Sequence, residues 1–377
     1  MKLLYLTHFP LDINAPTGGV EAVNSNLVQS IAKIPGIQID VVCFADGINT
    51  VKIIENDGFN VHYLPKSMHS ELMHAVYYGK KYLTEYIKDF QYDLIHAHDT
   101  YGIISSGIKS KKVFTIHGFI YGDTLVSGGR LSYLRSKLWK YYEVGGWERQ
   151  DNIISISPYV RERVVLLTKN RNIYDIDNPV SREFFEIKNV TTERVIIFSA
   201  AVISRRKNTL LLVKAVEELK KKGINVELRL AGPIIEQDYG ELIIEYIRKN
   251  NLTENVTLLG SVGREQVMME LSRATIFALV SLEENSPMGI EEAMAAGVPV
   301  VTSNRCGMPY LVKHGESGYL VDPLDVDDIA VHMQKIVQQK ELHTTMSKSC
   351  RQTALWRFHP DKIAEQTVAL YKEIMER

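Results

Sequence analysis

Short runs rich in β-branched and aromatic residues recur along this 377-residue chain, each separated from the next by a segment with helical apolar spacing. The first half carries such runs at Leu3–Thr7, Ile39–Phe44, Asn60–Leu64, Asp93–His96, Val113–His117 and Ile153–Ser157. The second half carries them at Val195–Ala200, Val226–Ala231, Val256–Leu259, Ile276–Val280, Pro299–Thr302 and Gly318–Val321. Between them, steps of three and four such as Val20, Val23, Leu27, Ile31 and Ile34 mark helices with one apolar face. Strands that alternate with helices of this length form parallel sheets covered on both sides. Two successive sets of about six strands fit two doubly wound α/β domains better than one wide sheet. An eight-stranded closed barrel would leave strands over. The turn signal Asp177-Asn178-Pro179-Val180 separates the sets, giving domains 1–178 and 179–360. The amphipathic tail 361–377 (Ile363, Val368, Leu370, Tyr371, Ile374) has no strand after it and is expected to cross the junction and pack back on the first domain.

Charge and cysteine content narrow the function. Forty-four Lys+Arg against 45 Asp+Glu give a formal net charge of -1, so no whole-molecule field recruits nucleic acid. Cys43, Cys306 and Cys350 fall at unrelated spacings, which excludes a disulfide framework and a cysteine-based zinc site. The N-terminus turns polar too soon for a signal peptide, and no run approaches the ~18 apolar residues of a membrane span. The expectation is a cytoplasmic protein.

In open α/β sheets ligands gather at the carboxyl ends of strands, so two such domains are expected to share a cleft. The stretch Glu284-Asn285-Ser286-Pro287-Met288-Gly289-Ile290-Glu291-Glu292 follows an apolar strand and opens a helix, with Ser286 as expected N-cap and Pro287 as first helical residue. Free N–H groups there can hold hydroxyls or phosphate. Glu291 reads as a complement to the helix dipole; Glu284 and Glu292 read as a functional pair. Thr17-Gly18-Gly19-Val20-Glu21 lets backbone approach a polar ligand ahead of another helix. No G-x-G-x-x-G or G-x-x-x-x-G-K-[ST] is present, so dinucleotide oxidoreductase and P-loop readings lose their support. His96-Ala97-His98-Asp99 and His117-Gly118 end two strands; alternate histidines can share a metal, but third and fourth ligands at sensible spacing are missing. Ser204-Arg205-Arg206-Lys207-Asn208 puts three cations at a strand-end turn, suited to a diphosphate leaving group. Finally, Arg130, Arg135, Lys137 and Lys140 alternate with Leu131, Leu134, Leu138 and Tyr141. Such a helix either lies on an anionic membrane or packs one face inward; the inward-packed reading is preferred.

The stretch from Glu284 to Glu292 resembles the E-x7-E signature of the family 4 (group 1) retaining glycosyltransferases, and Glu292-Ala293-Met294-Ala295-Ala296-Gly297-Val298-Pro299-Val300 continues that wording. The resemblance implies the GT-B fold of two Rossmann-like domains. It implies that Glu292 bonds the nucleotide ribose, that Glu284 lies near the donor sugar hydroxyls, and that backbone around Met288 and Gly289 approaches the sugar and phosphates. Gly18 and Gly19 resemble the family's N-terminal glycine loop, and the strand ending at His117 resembles the one whose histidine reaches the donor sugar. Leu259-Gly260-Ser261-Val262 resembles the turn that meets the nucleobase, which brings Gly260 and Val262 into the set. Lys207 matches the family's lysine, whereas Val202 stands at the family's arginine, so Arg205 or Arg206 is expected to supply the second cation. The implied activity is transfer of a sugar, with retention, from a nucleotide-diphosphate sugar to a glycan, lipid-linked or small-molecule acceptor, catalysed by His117, Glu284 and Lys207 without metal or cofactor. A nucleotide-sugar epimerase of the same fold and a histidine-based metal hydrolase are the alternatives. Peripheral contact with the inner face of the membrane is the accompanying expectation.

Overall fold

The alternation of strand and helix signals becomes two separate sheets in the computed structural model, which describes every residue except 14, 127–130 and 170–171. The chain divides into two units, Met1–Pro179 with Pro360–Arg377, and Val180–His359. The break thus follows Pro179 rather than residue 178, and the returning helix spans Pro360–Glu376.

The first unit contains β1 (Lys2–Leu6), β2 (Gln38–Ala45), β3 (Lys52–Asn56), β4 (Phe59–Pro65), β5 (Leu94–His98), β6 (Lys112–Ile116), β7 (Asn152–Ser155) and β8 (Asn172–Asp175). They form an eight-stranded sheet in the order β3-β4-β2-β1-β5-β6-β7-β8. All neighbours are parallel except β3 and β4. Central β1 is sealed on both faces, with Leu3, Leu4, Tyr5 and Leu6 at 0% exposure, as a strand covered by two helical layers must be. The two edge strands β3 and β8 escape the sequence reading. Their sequences, Lys-Ile-Ile-Glu-Asn and Asn-Ile-Tyr-Asp, are half polar because an edge needs less burial and is protected by charge.

The returning helix Pro360–Glu376 contacts the helix Gly19–Ile31. Ile363, Val368, Tyr371 and Ile374 join the core of the first unit. Polar ties fix the register: Tyr371 Oη lies 2.6 Å from His96 Nδ1, and Lys111 Nζ donates to the Ile374 carbonyl at 3.1 Å.

The second unit contains β9 (Val195–Ala200), β10 (Val226–Ala231), β11 (Val256–Gly260), β12 (Ile276–Leu279), β13 (Val300–Ser303) and β14 (Gly318–Val321). Their order is β11-β10-β9-β12-β13-β14, and every pair is parallel. The strand order reverses between β9 and β12. A crevice opens at such a switch point because successive helices leave to opposite faces of the sheet. Among the described residues no helix is long and apolar enough to cross a membrane.

Candidate active site

At that switch point, the loops that leave β9 and β12 are knitted together by main-chain and amide hydrogen bonds. Leu282 N donates to the Arg206 carbonyl at 2.8 Å. Asn208 adopts φ 58°, a left-handed conformation that Asn tolerates better than most residues. From there its Nδ2 donates to the carbonyls of Val280 at 3.2 Å and Pro323 at 2.6 Å. Gly232 adopts φ 143°, and a Cβ there would lie 2.0 Å from the Ala201 carbonyl oxygen, so only glycine admits the β9 loop at this height. Gly307 backs the other loop: its N–H donates to the Glu284 carbonyl at 2.8 Å, and a Cβ would fall 1.7 Å from the Asn285 oxygen.

This scaffold brings Glu284, Lys207 and Arg206 into one cluster. Lys207 Nζ is bonded to Glu284 Oε1, and Arg206 Nη1 reaches the same oxygen at 3.2 Å and the Glu283 carbonyl at 2.9 Å. The Glu284 side chain is 10% exposed and that of Lys207 13%, so both charges have left most of their water and depend on each other. Arg205 does not join them. Its guanidinium is forked between Glu236 at 2.7 Å and Asp238 at 2.6 Å and lies over the Tyr239 ring, more than half exposed. Of the two arginines offered for the family position vacant at Val202, the structure puts Arg206 at the strand-end cluster.

The helix that follows spans Met288–Ala295, with Pro287 rather than Ser286 as its cap. The Ser286 hydroxyl instead donates to Glu291, whose side chain is wholly buried; Glu291 is therefore an internal hydrogen-bonding group and more than a surface complement to the dipole. The first amides, Met288 and Gly289, find no acceptor among the described residues, as the first turn of a helix leaves its N–H groups free. Gly289 has a packing reason as well, since a Cβ would lie 3.0 Å from the Phe277 ring. Glu292 is partly buried, and among the described residues its carboxylate has no hydrogen bond or ion pair. Burial pushes its pKa up to about 7, with the positive charge of Arg264 opposing the rise. Gly260 ends β11 at φ 68°, and its carbonyl accepts from Gly232 N at 2.7 Å; Val262 packs on the core behind it.

In the first unit, Gly18 caps the helix Gly19–Ile31 in extended conformation, and a Cβ there would meet nothing within 4 Å. Gly18 is thus open rather than sterically required. Thr17 closes the turn by donating N–H and hydroxyl to Glu21 Oε2 at 2.7 and 2.8 Å. His117, just past β6, is buried with its Nε2 2.9 Å from His98 Nδ1 and the two rings stacked. Burial lowers the pKa of both; for His98 the neighbouring histidines lower it further, and for His117 the charge of Asp99 opposes the fall, so the environment favours the neutral imidazole. Asp99, held at φ 46°, accepts from the main-chain N–H of His117 at 2.8 Å and of Gly118 at 3.4 Å. The sequence placed Asp99 in its motif without that role. His96 is spent on Tyr371 and on Thr115 Oγ1 at 2.7 Å, and among the described residues no group of three or more His, Cys, Asp or Glu could hold a metal ion.

Two doubly wound units, one with free helix N-terminal amides and a cation–carboxylate cluster at its switch point, define the α/β class in which ligands bind at the carboxyl ends of the strands and helix N-termini suit anions. Comparison with known proteins narrows the class. The family profile described as "Glycosyl transferases group 1" matches residues 180–353, and that described as "Glycosyltransferase Family 4" matches residues 17–184. The chain is 23% identical to N-acetyl-alpha-D-glucosaminyl L-malate synthase of Bacillus anthracis, over 71% of this chain and 69% of that one. It is 24% identical to the UDP-Gal:alpha-D-GlcNAc-diphosphoundecaprenol alpha-1,3-galactosyltransferase of Escherichia coli, over 78% of each. Sucrose-phosphate synthase from Thermosynechococcus elongatus shares the fold over the full length of both chains, with TM-score 0.85 and 20% identity. The chain belongs to the group 1 (family 4) glycosyltransferases of the GT-B fold and is a glycosyltransferase.

Proposed function

We propose that the chain moves a sugar from a nucleotide-diphosphate sugar to a glycan, lipid-linked or small-molecule acceptor with retention at the anomeric carbon, and that it needs no metal. The observation that carries this reading is the Arg206–Glu284–Lys207 cluster on the same strand-end loops as the free amides of Met288 and Gly289. As the sugar departs, negative charge grows on the leaving diphosphate. Two side-chain cations and a helix N-terminus stabilise that charge without the reorganisation water would need. In the absence of ligand Lys207 is held by Glu284; a diphosphate competes for it, and Glu284 is then free to accept a sugar hydroxyl. The unpartnered Glu292 carboxylate suits the two hydroxyls of a ribose. In this reading the second unit takes the donor, with the base against Gly260 and Val262, and the first unit takes the acceptor. There Gly18 leaves room for it, with Gly19 opening the helix behind, and His117 serves the donor sugar as a neutral donor or acceptor fixed by His98. The similarity to a galactosyltransferase named for UDP-Gal makes uridine diphosphate sugars the first donors to try.

The test is a panel of nucleotide sugars with cell-extract acceptors, the product read by mass spectrometry and its anomeric proton coupling by NMR. Retained configuration and undiminished turnover after dialysis against a chelator are expected. An inverted product would remove the retaining reaction. Activity restored only by a divalent ion would remove the cation role of Arg206 and Lys207. A new sugar nucleotide formed without acceptor would favour the epimerase.

A further inference from the structure

The helix Ser132–Trp147 packs one face inward and carries its leucines on the other. Its inner face is made by Ser136, Trp139, Glu143, Gly146 and Trp147, a three- and four-residue stripe. Glu143 fixes that orientation, because its buried carboxylate accepts the N–H groups of Ile120 at 3.0 Å and Tyr121 at 2.7 Å. Leu134, Leu138 and Tyr141, also spaced by four and three, therefore lie on the opposite face, 61%, 46% and 75% exposed. Leu131 at the helix start, three residues before Leu134, extends the patch and is 67% exposed. The helix thus packs one face inward, as the preferred expectation had it, and leaves the leucines of the sequence pattern outside. Arg130, the first cation of the sequence pattern, lies outside the described residues.

An isolated exposed leucine is ordinary, but a stripe along a well-anchored helix is not. Its border supplies the second half of the argument. Arg135 lies to one side of the leucine stripe and Lys137 and Lys140 to the other, all exposed and, among the described residues, without ion pairs. Lys137 Nζ sits 4.4 Å above the Tyr133 ring and Lys140 Nζ 5.5 Å above Tyr121, which holds the amines at the edge of the patch. Apolar side chains flanked by cations, with the exposed Tyr133 and Tyr141 beside them, match the depth profile of a bilayer surface: acyl chains under leucine, headgroups at tyrosine, anionic phosphates at lysine. We infer that this helix is an interfacial anchor that docks the first unit on a membrane containing anionic lipid. The inference is independent of the donor chemistry, since none of these residues belongs to the proposed donor site.

The experiment is sedimentation of the full chain with vesicles of phosphatidylcholine alone and of phosphatidylcholine mixed with phosphatidylglycerol. Binding to the mixed vesicles, weakened by added salt, is expected, with little binding to the neutral ones. Lys137→Glu with Lys140→Glu should lower the partition coefficient by more than about 25-fold, since each basic residue near such a surface contributes about five-fold. Leu134→Ser with Leu138→Ser should lower it at least about 10-fold while leaving UDP affinity unchanged, which shows the variant folded. Equal binding to both vesicle types, or binding indifferent to the leucine pair, would overturn the anchor. So would a concentration-dependent dimer that the leucine variants abolish, because the patch would then be a contact between two copies of the chain.

Discussion

Replacing Glu292 by Gln should make the protein more stable and a poorer nucleotide binder at once. The carboxyl's pKa stands at about 7 against an ordinary 4.5, because burial penalises its charged form and Arg264 compensates only in part. Between those values the folded chain holds a proton that the unfolded chain has lost, so stability falls as pH rises through the window. Below about pH 4.5 the penalty is absent; above about 7 it is complete. Each pH unit of displacement is worth about 1.4 kcal/mol, which bounds the penalty at roughly 3 kcal/mol. The side chain keeps some contact with water, which places the realised gain of Glu292→Gln at about 1–3 kcal/mol. For a unit of this size that is a rise in Tm of about 2–12 °C at pH 8, shrinking toward zero near pH 4.5. Scanning calorimetry of the two proteins at pH 5 and pH 8 reads the difference directly. UDP titrated by calorimetry at pH 8 should bind about 10-fold more weakly to the variant, since a charge-assisted hydrogen bond is replaced by a neutral one. A variant no more stable than the parent at pH 8, or stabilised equally at both pH values, would refute the account of an isolated carboxylate held for its ligand.

The two arginines separate cleanly. Arg206→Ala and Lys207→Ala should each lower kcat on the order of 10²-fold with smaller effects on donor binding, because their charge matters most as the diphosphate leaves. Arg205→Ala should leave steady-state kinetics unchanged, its charge being committed to Glu236 and Asp238 in open solvent; comparable losses at Arg205 and Arg206 would contradict the cluster. Gly307→Ala drives a Cβ into the Asn285 oxygen and should displace Glu284, costing activity and several degrees of Tm where the same change at Gly18 costs little stability. Tyr371→Phe strips a partner from buried His96 and should destabilise the first unit by about 1–3 kcal/mol in urea denaturation, without altering UDP affinity.

Apolar periodicity alone carried most of the architecture, because residues that must leave water repeat every second position on a strand and every three or four on a helix. Six strands of each sheet were visible, the edge strands β11 and β14 among them; β3 and β8 were not, because their half-polar sequences break the apolar run that an edge does not need. The Glu284–Glu292 stretch and the cations at 205–207 were legible too, since a strand-end turn places side chains at a crevice whatever the rest of the chain does. Partnership was a different matter. Arg205 and Arg206 are neighbours of identical chemistry, and what distinguishes them is that Glu236 and Asp238 lie beside one and Glu284 beside the other, 31 to 78 residues along the chain. His98 and His117 sit on strand ends 19 residues apart, and only the pairing of β5 with β6 sets their rings face to face. The helix Ser132–Trp147 is the sharpest case. Its sequence offers two faces to the core, and composition favours the leucines. Two buried tryptophans and a carboxylate bound to the main chain of a neighbouring helix outweigh them, and that contact exists only once the chain has folded.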